Sequence, residues 1–255
     1  MSILIRKEIV EQQAWFKSWF DSPYYHKLYK HRDQQEADEF VDAIIEELQP
    51  PSMASMLDLG CGNGRHSKYL EKKGFNVIGL DLAVSSIREA KKFETPFLQF
   101  RQHDMRSAFG QNRFDYIFNF FTSFGYFKDS SENNEVVYNI SMALKQGGHV
   151  LFDYLNVDTA EKNLIPVEEK EIDGVLYHIN RWVDKSFIYK RIAIHDHNAP
   201  GSRVFVEKVA RFSLESFEEF FEENGLETVN VYGDYQLNEY DPGTSKRLVI
   251  LAKKS

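Results

Sequence analysis

Hydrophobic positions alternate between two spacings along the chain, and the change of spacing separates predicted helices from predicted strands. Apolar residues recur every three or four positions in residues 37–48, which predicts an amphipathic helix ended by Pro50-Pro51. Short apolar runs then predict strands at Met56–Leu59, Phe75–Asp81, Phe97–Gln102, Phe114–Phe121 and His149–Leu155. Helical spacing between them predicts helices at His66–Lys73, Ser85–Phe93 and Glu132–Lys145, the last ended by Gly147-Gly148. This alternation predicts a parallel sheet with right-handed crossovers.

The alternation breaks after residue 155. Three runs with strand character follow, and the turn signals Asp173-Gly174 and Ala199-Pro200-Gly201 lie near their ends. The three runs are Ile172–Val183, Phe187–His195 and Arg203–Phe212. They predict an inserted antiparallel sheet over one end of the core. A helix at Leu214–Asn224 with Ser213 as its N-cap follows, and strands at Leu226–Tyr232 and Leu248–Ala252 close the chain.

Residues 8–30 have helical character and are rich in aromatic side chains. Trp15/Trp19 and Phe16/Phe20 are spaced four apart, so each pair lies on one face of a helix. Two interpretations remain open: a helix packed on the core, or a lid that closes over a binding site. On the second interpretation Tyr25, Tyr29 and then Arg32 are the residues expected to reach a ligand.

Composition limits the classes of function. The chain has 255 residues, enough for one large domain or one domain with an insertion. Its formal charge of −8 argues against sequence-independent binding to nucleic acid, which needs a basic face. Cys61 is the single cysteine, and the N-terminus lacks the long apolar region of a signal peptide. We expect a cytoplasmic protein without a membrane span, as a monomer or a homodimer.

The segment Met56–Arg65 carries the most informative motif. Asp58 ends an apolar run, and three glycines follow at every second position, just before a predicted helix. This D-x-G-x-G-x-G pattern differs from the dinucleotide fingerprint, which requires Gly or Ala three residues after its second Gly. A second acid, Asp81, ends the next predicted strand, where it can accept both hydroxyls of a ribose.

In this order and spacing, the motif resembles motif I of the class I S-adenosylmethionine (SAM) methyltransferases. The resemblance covers residues 52–155 by motif and 213–253 by pattern. It implies an α/β, Rossmann-like seven-stranded sheet of order 3-2-1-4-5-7-6 with strand seven antiparallel and helices on both faces. The expected parts are an N-terminal helical lid (1–50), a SAM-binding catalytic domain (51–155 and 213–255) and an inserted antiparallel region over the substrate (156–212).

The resemblance also implies a cofactor site for SAM, with S-adenosylhomocysteine (SAH) as product. The glycines would accommodate the methionine portion, Asp81 would hold the ribose, and Asp104 would meet the adenine amino group. The full expected set is Asp58, Gly60, Gly62, Gly64, Asp81, Leu82, Asp104, Met105, Asn119, Phe120 and Tyr25. Cys61 is expected to be a small residue in a tight loop. His195-Asp196-His197 lacks an evident third ligand, so no metal site is expected.

The segment Asn119–Phe127 resembles the fourth motif of small-molecule methyltransferases, since it lacks the prolines of the (N/D)-P-P-(Y/F) motif of nucleic-acid amine methyltransferases. We expect a small-molecule acceptor, methylated on N or O, with nucleic acid an unfavoured partner. The candidates are Tyr126 and His178 for catalysis, and Tyr29, Ser123, Tyr154 and Arg181 for acceptor binding. Three alternatives stay open: an RNA or protein methyltransferase, a non-catalytic SAM-binding protein, and an NAD-dependent oxidoreductase.

Overall fold

The computed structural model describes residues 15–30 and 34–255. Eleven strands lie within these residues and form two sheets. The strands are β1 (Ser55–Leu59), β2 (Asn76–Asp81), β3 (Leu98–Gln102), β4 (Phe114–Asn119), β5 (Leu144–Leu155), β6 (Val167–Ile172), β7 (Val175–Val183), β8 (Phe187–Asp196), β9 (Ala199–Ala210), β10 (Leu226–Tyr232) and β11 (Arg247–Lys254).

Eight α-helices lie in the described part of the chain, together with a short 3₁₀ turn at Lys91–Phe93. The helices are α1 (Trp15–Phe20), α2 (Pro23–Leu28), α3 (Gln34–Leu48), α4 (Arg65–Lys72), α5 (Val84–Ala90), α6 (Ser130–Ala143), α7 (Val157–Lys162) and α8 (Leu214–Glu223). Ser213 is the N-cap of α8, as its sequence predicts. None of these helices is long and apolar enough to cross a membrane.

The larger sheet has the order β3-β2-β1-β4-β5-β11-β10. Strands β1 to β5 run parallel, whereas β11 is antiparallel to both of its neighbours. Because β11 and β10 occupy positions seven and six, the predicted order 3-2-1-4-5-7-6 is confirmed. The chain crosses from one side of β1 to the other between β3 and β4, and the carboxyl ends of β1 and β4 therefore border a crevice.

The larger sheet separates two hydrophobic cores. Successive residues of a strand point to opposite faces, so Met56 enters one core and Leu57 the other. Helices α3, α4 and α5 cover the Met56 side. Helices α1, α6 and α8 cover the Leu57 side, where residues of the smaller sheet join the same core. Only one of the two cores therefore contains both the N-terminal helices and the inserted strands.

The smaller sheet has four antiparallel strands in the order β6-β7-β8-β9, one more than the sequence predicts. The missed strand β6 has the sequence Val-Glu-Glu-Lys-Glu-Ile, and its polar character as an exposed edge hid it from the hydrophobic pattern. The first predicted run, Ile172–Val183, therefore began too early, because Ile172 ends β6 and Asp173-Gly174 is the two-residue turn before β7. The turn predicted at Ala199–Gly201 is wrong, since the chain turns at 197–198 and β9 begins at Ala199.

The glycine pair Gly147-Gly148 lies inside β5 instead of ending α6. Helix α6 ends at Ala143, and Leu144 already pairs with Phe114 of β4. The next paired residues are Tyr116 and His149, so residues 145–148 form a bulge against a single residue of β4. Gly147 and Gly148 accommodate a bulge in the strand, so the prediction that they end a helix is wrong.

Asp58 is a buried acid in the centre of the larger sheet. Its side chain is 1% exposed, Ser67 Oγ donates to its Oδ2 at 2.5 Å, and its Oδ1 finds no donor among the described residues. Burial raises the pKa of Asp58 to about 7, and the hydrogen bond from Ser67 offsets only part of this shift. The carboxyl group therefore prefers its protonated form in the folded chain.

We expect the free energy of unfolding to fall as pH rises from about 4 to about 7, because Asp58 ionises freely only in the unfolded chain. The Asp58→Asn variant should lose this part of the decline, which amounts to at most about 4 kcal/mol. Urea unfolding at about pH 5 and about pH 8 measures it. Asp104→Asn is the control. The hydrogen bonds from Arg106 lower the pKa of Asp104, so this carboxyl group titrates below this pH range. An unchanged decline in Asp58→Asn would contradict the assignment.

Gly64 precedes α4 with φ +79°, and a Cβ built on it would lie 2.4 Å from Cζ of Phe100. Gly64→Ala should therefore lower the free energy of unfolding by about 2–4 kcal/mol, through left-handed strain and overpacking. Gly110→Ala is the matched control, because the nearest atom to its Cβ would lie 3.5 Å away. Equal stability of the two variants would show that Phe100 does not require glycine at position 64.

Candidate active site

A cavity of about 750 Å³ lies at the carboxyl ends of β1, β2 and β4. Its walls come from segments of the chain that are distant in sequence. One wall contains Leu59, Gly60, Gly62, Asp81, Leu82, Asp104 and Met105, which we call the cofactor face. The wall across from it, the opposite wall, contains Trp15, Phe16, Phe20, Tyr25, Tyr29, Glu207 and Val209. Phe120, Ser123, Tyr126 and Arg247 connect the two.

The loop of residues 60–64, the glycine loop, is fastened to the end of β2. The amide of Gly60 donates to Leu80 O at 2.7 Å, and the amide of Gly62 donates to Asp81 Oδ2 at 2.8 Å. Gly62 adopts φ +55°, and no atom lies within 4 Å of where its Cβ would be. The loop thus presents bare backbone to the cavity, as close approach of a polar ligand requires.

Asp81 is the acid at the centre of the cofactor face. Its two oxygens accept hydrogen bonds from the amides of Gly62 and Ala83, each at 2.8 Å, and the half-buried side chain still borders the cavity. Burial raises the pKa of Asp81, while these amide donors oppose the rise. The carboxylate is thereby fixed in orientation, and each oxygen retains a lone pair for a further donor.

Asp104 and Met105 extend the cofactor face beyond β3. Arg106 donates two hydrogen bonds to the Asp104 carboxylate, one from Nε at 3.1 Å and one from a second guanidinium nitrogen at 2.7 Å. This bidentate pair lowers the pKa of Asp104, so its carboxylate stays charged. Arg106 also donates to Glu132 at 2.6 Å. Met105 and Leu82 supply the apolar surface nearby, which suits a flat ring.

The segment after β4 links the two walls. Phe120 stacks on His66 with ring centroids 4.2 Å apart, and Ser123 lies against Gly60. Asn119 is buried and donates to Leu59 O at 2.8 Å, so it supports the loop without lining the cavity. Tyr126 lines the cavity, and its hydroxyl donates to Thr122 O. The sequence predicted Asn119, Phe120, Ser123 and Tyr126 as members of the site.

Phe121 and Thr122 adopt left-handed backbone conformations, with φ +60° and +58°. Asp153 holds them in place: its carboxylate accepts from the Phe121 amide at 2.7 Å, and its carbonyl accepts from the Thr122 amide at 2.8 Å. Arg247 donates to Asp153 at 2.7 Å and to Thr122 Oγ1 at 3.0 Å. Strained backbone of this kind persists only where its surroundings fix it, and it concentrates at functional sites.

Residues 15–30, the N-terminal aromatic segment, pack on the core and also line the cavity. Trp15, Phe16 and Trp19 are buried in the core, yet the segment also forms most of the opposite wall. Its contacts reach both halves of the molecule. Asp21 accepts from the Ser85 amide of α5 at 2.6 Å, and Tyr24 donates to Asp196 of β8 at 3.0 Å. Arg32, the further candidate, lies outside the described residues.

Glu207 of β9 joins this segment to the smaller sheet. Its Oε1 accepts from Trp19 Nε1 at 2.6 Å and from the Tyr29 hydroxyl at 2.9 Å. Lys190 of β8, its cross-strand neighbour, lies with Nζ 3.6 Å from Oε2. Neither Glu207 nor Lys190 was predicted from the sequence, because no spacing signal shows which face of an inserted strand meets a helix far away in the chain.

Three of the residues predicted for catalysis or acceptor binding do not border the cavity. Tyr154 is buried, and its hydroxyl donates to Ala210 O at 2.6 Å, so it joins β5 to the end of β9. His178 contacts Glu169 at 2.8 Å and Arg181 contacts Glu168 at 2.6 Å, both within the smaller sheet. The sequence placed all three near the cavity without showing which way the strands face. Asp58 and Gly64 also lie behind the cofactor face, where they support the glycine loop.

Cys61 is buried in the glycine loop, and burial raises the pKa of its thiol. It is therefore held as the neutral thiol, which is a poor nucleophile. Among the residues that the structure describes, no group of three or more His, Cys, Asp or Glu side chains is arranged to hold a metal ion.

Comparison with known proteins shows which family the chain belongs to. Residues 29–231 match the methyltransferase domain family. The chain is 26% identical over 241 residues to the putative methyltransferase YqeM of Bacillus subtilis, covering 91% of this chain and 94% of that protein. It is 29% identical over 118 residues to a dTDP-3-amino-3,4,6-trideoxy-alpha-D-glucopyranose N,N-dimethyltransferase of Streptomyces venezuelae. That match spans 46% of this chain and about half, 48%, of the relative.

The fold is shared with solved structures of the same class. A SAM-dependent methyltransferase from Clostridium acetobutylicum superposes with a TM-score of 0.76 at 20% identity, covering 91% of this chain and 96% of that one. The agreement extends over the smaller sheet as well as the larger one, since so much of both chains is covered. The chain belongs to the class I SAM-dependent methyltransferase family, and SAM is its cofactor.

Proposed function

We propose that this protein transfers a methyl group from SAM to a nitrogen or oxygen atom of a small molecule bound in the cavity. The observation that carries the proposal is that the cofactor face and the opposite wall border one and the same cavity. Its volume of about 750 Å³ lies in the range typical of sites for small ligands, about 300–1,000 Å³. A donor and a small acceptor fit this space side by side.

The residues of the cofactor face fit SAM. Asp81 would accept both ribose hydroxyls, because its oxygens are fixed by amides and border the cavity. Leu82 and Met105 would pack on the adenine, with Asp104 accepting from its amino group. The backbone of Gly60 and Gly62 would lie along the methionine portion. When bound, SAM supplies an electrophilic methyl group on a positively charged sulfur.

The protein itself contributes alignment and exclusion of water. The rings of Trp15, Phe20 and Tyr126 pack together, with centroids 5.2–5.4 Å apart, and shield the centre of the cavity. Aromatic faces also attract a positive charge, which favours the sulfonium and an amine acceptor alike. Tyr126 is the catalytic candidate that the cavity retains. Its hydroxyl donates to Thr122 O, and this hydrogen bond fixes the ring where it borders the cavity.

Two observations favour a small acceptor over RNA or protein. The N-terminal aromatic segment is hydrogen-bonded to α5 beside the larger sheet and to β8 and β9 of the smaller sheet. These contacts leave little room for a polymer chain. The Streptomyces venezuelae relative is named as a dimethyltransferase of an amino sugar nucleotide, a small molecule. A non-catalytic SAM-binding protein would share the cofactor face but would not need Tyr126 in the cavity.

Calorimetric titration with SAM and SAH tests the cofactor face. Asp81→Asn should weaken both by about 10- to 100-fold, because a charged acceptor is lost for two hydroxyl donors. Asp42→Asn is the control, since Asp42 pairs with Lys73 at the surface. Unchanged affinity in Asp81→Asn, or tighter binding of NAD than of SAM, would contradict the assignment.

Release of SAH from SAM, measured with a panel of small amines, alcohols and phenols, tests the acceptor. With the best acceptor, Tyr126→Phe should lower kcat by about 10-fold or more while the Kd for SAM stays unchanged, because the hydrogen bond to Thr122 O that positions the ring is lost. Tyr138→Phe is the matched control, because Tyr138 is 53% exposed on α6. Turnover with RNA or protein, and with no small molecule of the panel, would overturn the proposed function.

A further inference from the structure

Glu207 is a mostly buried carboxylate whose two oxygens differ in the number of hydrogen bonds that they accept. Oε1 accepts two hydrogen bonds from neutral donors, the Trp19 indole at 2.6 Å and the Tyr29 hydroxyl at 2.9 Å. Oε2 has Lys190 Nζ at 3.6 Å, which is too long for a hydrogen bond. A carboxylate that is only 16% exposed needs charge-assisted hydrogen bonds to offset its lost hydration, and Oε2 receives none from the described residues.

Glu207 borders the cavity, whereas Lys190 does not. Glu207 borders the cavity together with Val209, the next residue on the same face of β9. Lys190 is 15% exposed and is directed to the Tyr29 hydroxyl, with its ammonium over the Tyr29 ring at 4.6 Å from the centroid. Lys30 also borders the cavity, but its ammonium pairs with Asp173 at 2.5 Å. The charge that Glu207 itself offers to a ligand is therefore negative.

Aromatic residues of the N-terminal aromatic segment line the cavity together with Glu207, and the Tyr29 hydroxyl contacts it directly. Tyr25 and Tyr29 lie 4.9 Å apart, Phe20 and Tyr25 lie 5.0 Å apart, and all three border the cavity. A carboxylate beside several electron-rich ring faces is the combination that binds an organic ammonium group. An alcohol or a carboxylate would not supply the charge-assisted hydrogen bond that Oε2 lacks.

We propose that the acceptor of this methyltransferase is an amine, and that Glu207 Oε2 binds it as an ammonium group. This inference rests on the proposed function and decides between the two acceptor atoms that the proposed function leaves open. The same oxygen can accept the proton that the nitrogen must lose before its lone pair is available: an N–H bond breaks and an O–H bond forms. Glu207 thus selects the acceptor by charge, and Trp19 and Tyr29 hold the carboxylate in position.

Three probes with one carbon skeleton test the charge preference: cyclohexylamine, cyclohexanol and cyclohexanecarboxylate. Their dissociation constants are measured by ligand-observed NMR on the SAH-saturated protein at neutral pH. The amine should bind about 10-fold more tightly than the other two, because only the ammonium forms a charge-assisted hydrogen bond with Oε2.

Glu207→Gln is the decisive variant, since its amide oxygen can still accept from Trp19 and Tyr29. It should weaken the amine by about 10-fold and leave the alcohol within about 2-fold. Glu168→Gln is the matched control: it lies in the same sheet, its carboxylate pairs with Arg181 at 2.6 Å, and it does not border the cavity. A preference for the amine that survives in Glu207→Gln would overturn the proposal.

A second variant keeps the proposal testable if Glu207→Gln does not fold. Lys190→Met removes the competing cation, so the amine should bind several-fold more tightly. Weaker amine binding, or a native preference for the carboxylate probe that is lost in Lys190→Met, would overturn the proposal and assign an anion to this wall. SAH binding is measured first, and its absence in the native protein would instead refute the proposed function.

Discussion

The shape of the cavity depends on the hydrogen bonds of one buried carboxylate, that of Asp153. From β5 it binds the Phe121 amide after β4, the Arg247 guanidinium of β11 and the Tyr235 hydroxyl between β10 and β11. Each left-handed residue of the loop costs about 1–2 kcal/mol, and these bonds offset that cost. Because Phe120, Ser123 and Tyr126 flank the strained pair, their positions in the cavity follow from a charge that is fully buried beneath it.

The two walls of the cavity have different structural origins. The cofactor face is a product of the parallel sheet, since β1, β2 and β3 end side by side and bring Gly60, Asp81 and Asp104 to one edge. The opposite wall has no such framework and is assembled from α1, α2 and β9. Glu207 is its central contact, because it bonds to Trp19 and Tyr29 of the N-terminal aromatic segment at once.

This difference explains what the sequence predicts and where it fails. Apolar runs, helical spacing and glycines are local signals, so they yield the strands of the larger sheet, the glycine loop and the position of Asp81. The order of those strands was implied by the family resemblance. The edge strand β6 escaped because four of its six residues are charged. His178, Arg181 and Tyr154 were misplaced because the facing of an inserted strand depends on its tertiary partners. Glu207 was missed for the same reason, as its partner Trp19 lies 188 residues away in the chain.

The alternating geometry of β9 has an evolutionary consequence. Only every second residue of this strand, such as Glu207 and Val209, borders the cavity, while the glycine loop and Asp81 are contributed by other strands. Substitutions at those alternate positions therefore change the chemistry presented to an acceptor and leave the cofactor face intact. A duplicated gene could acquire a new acceptor through a few mutations in one strand, without first losing its methyl donor.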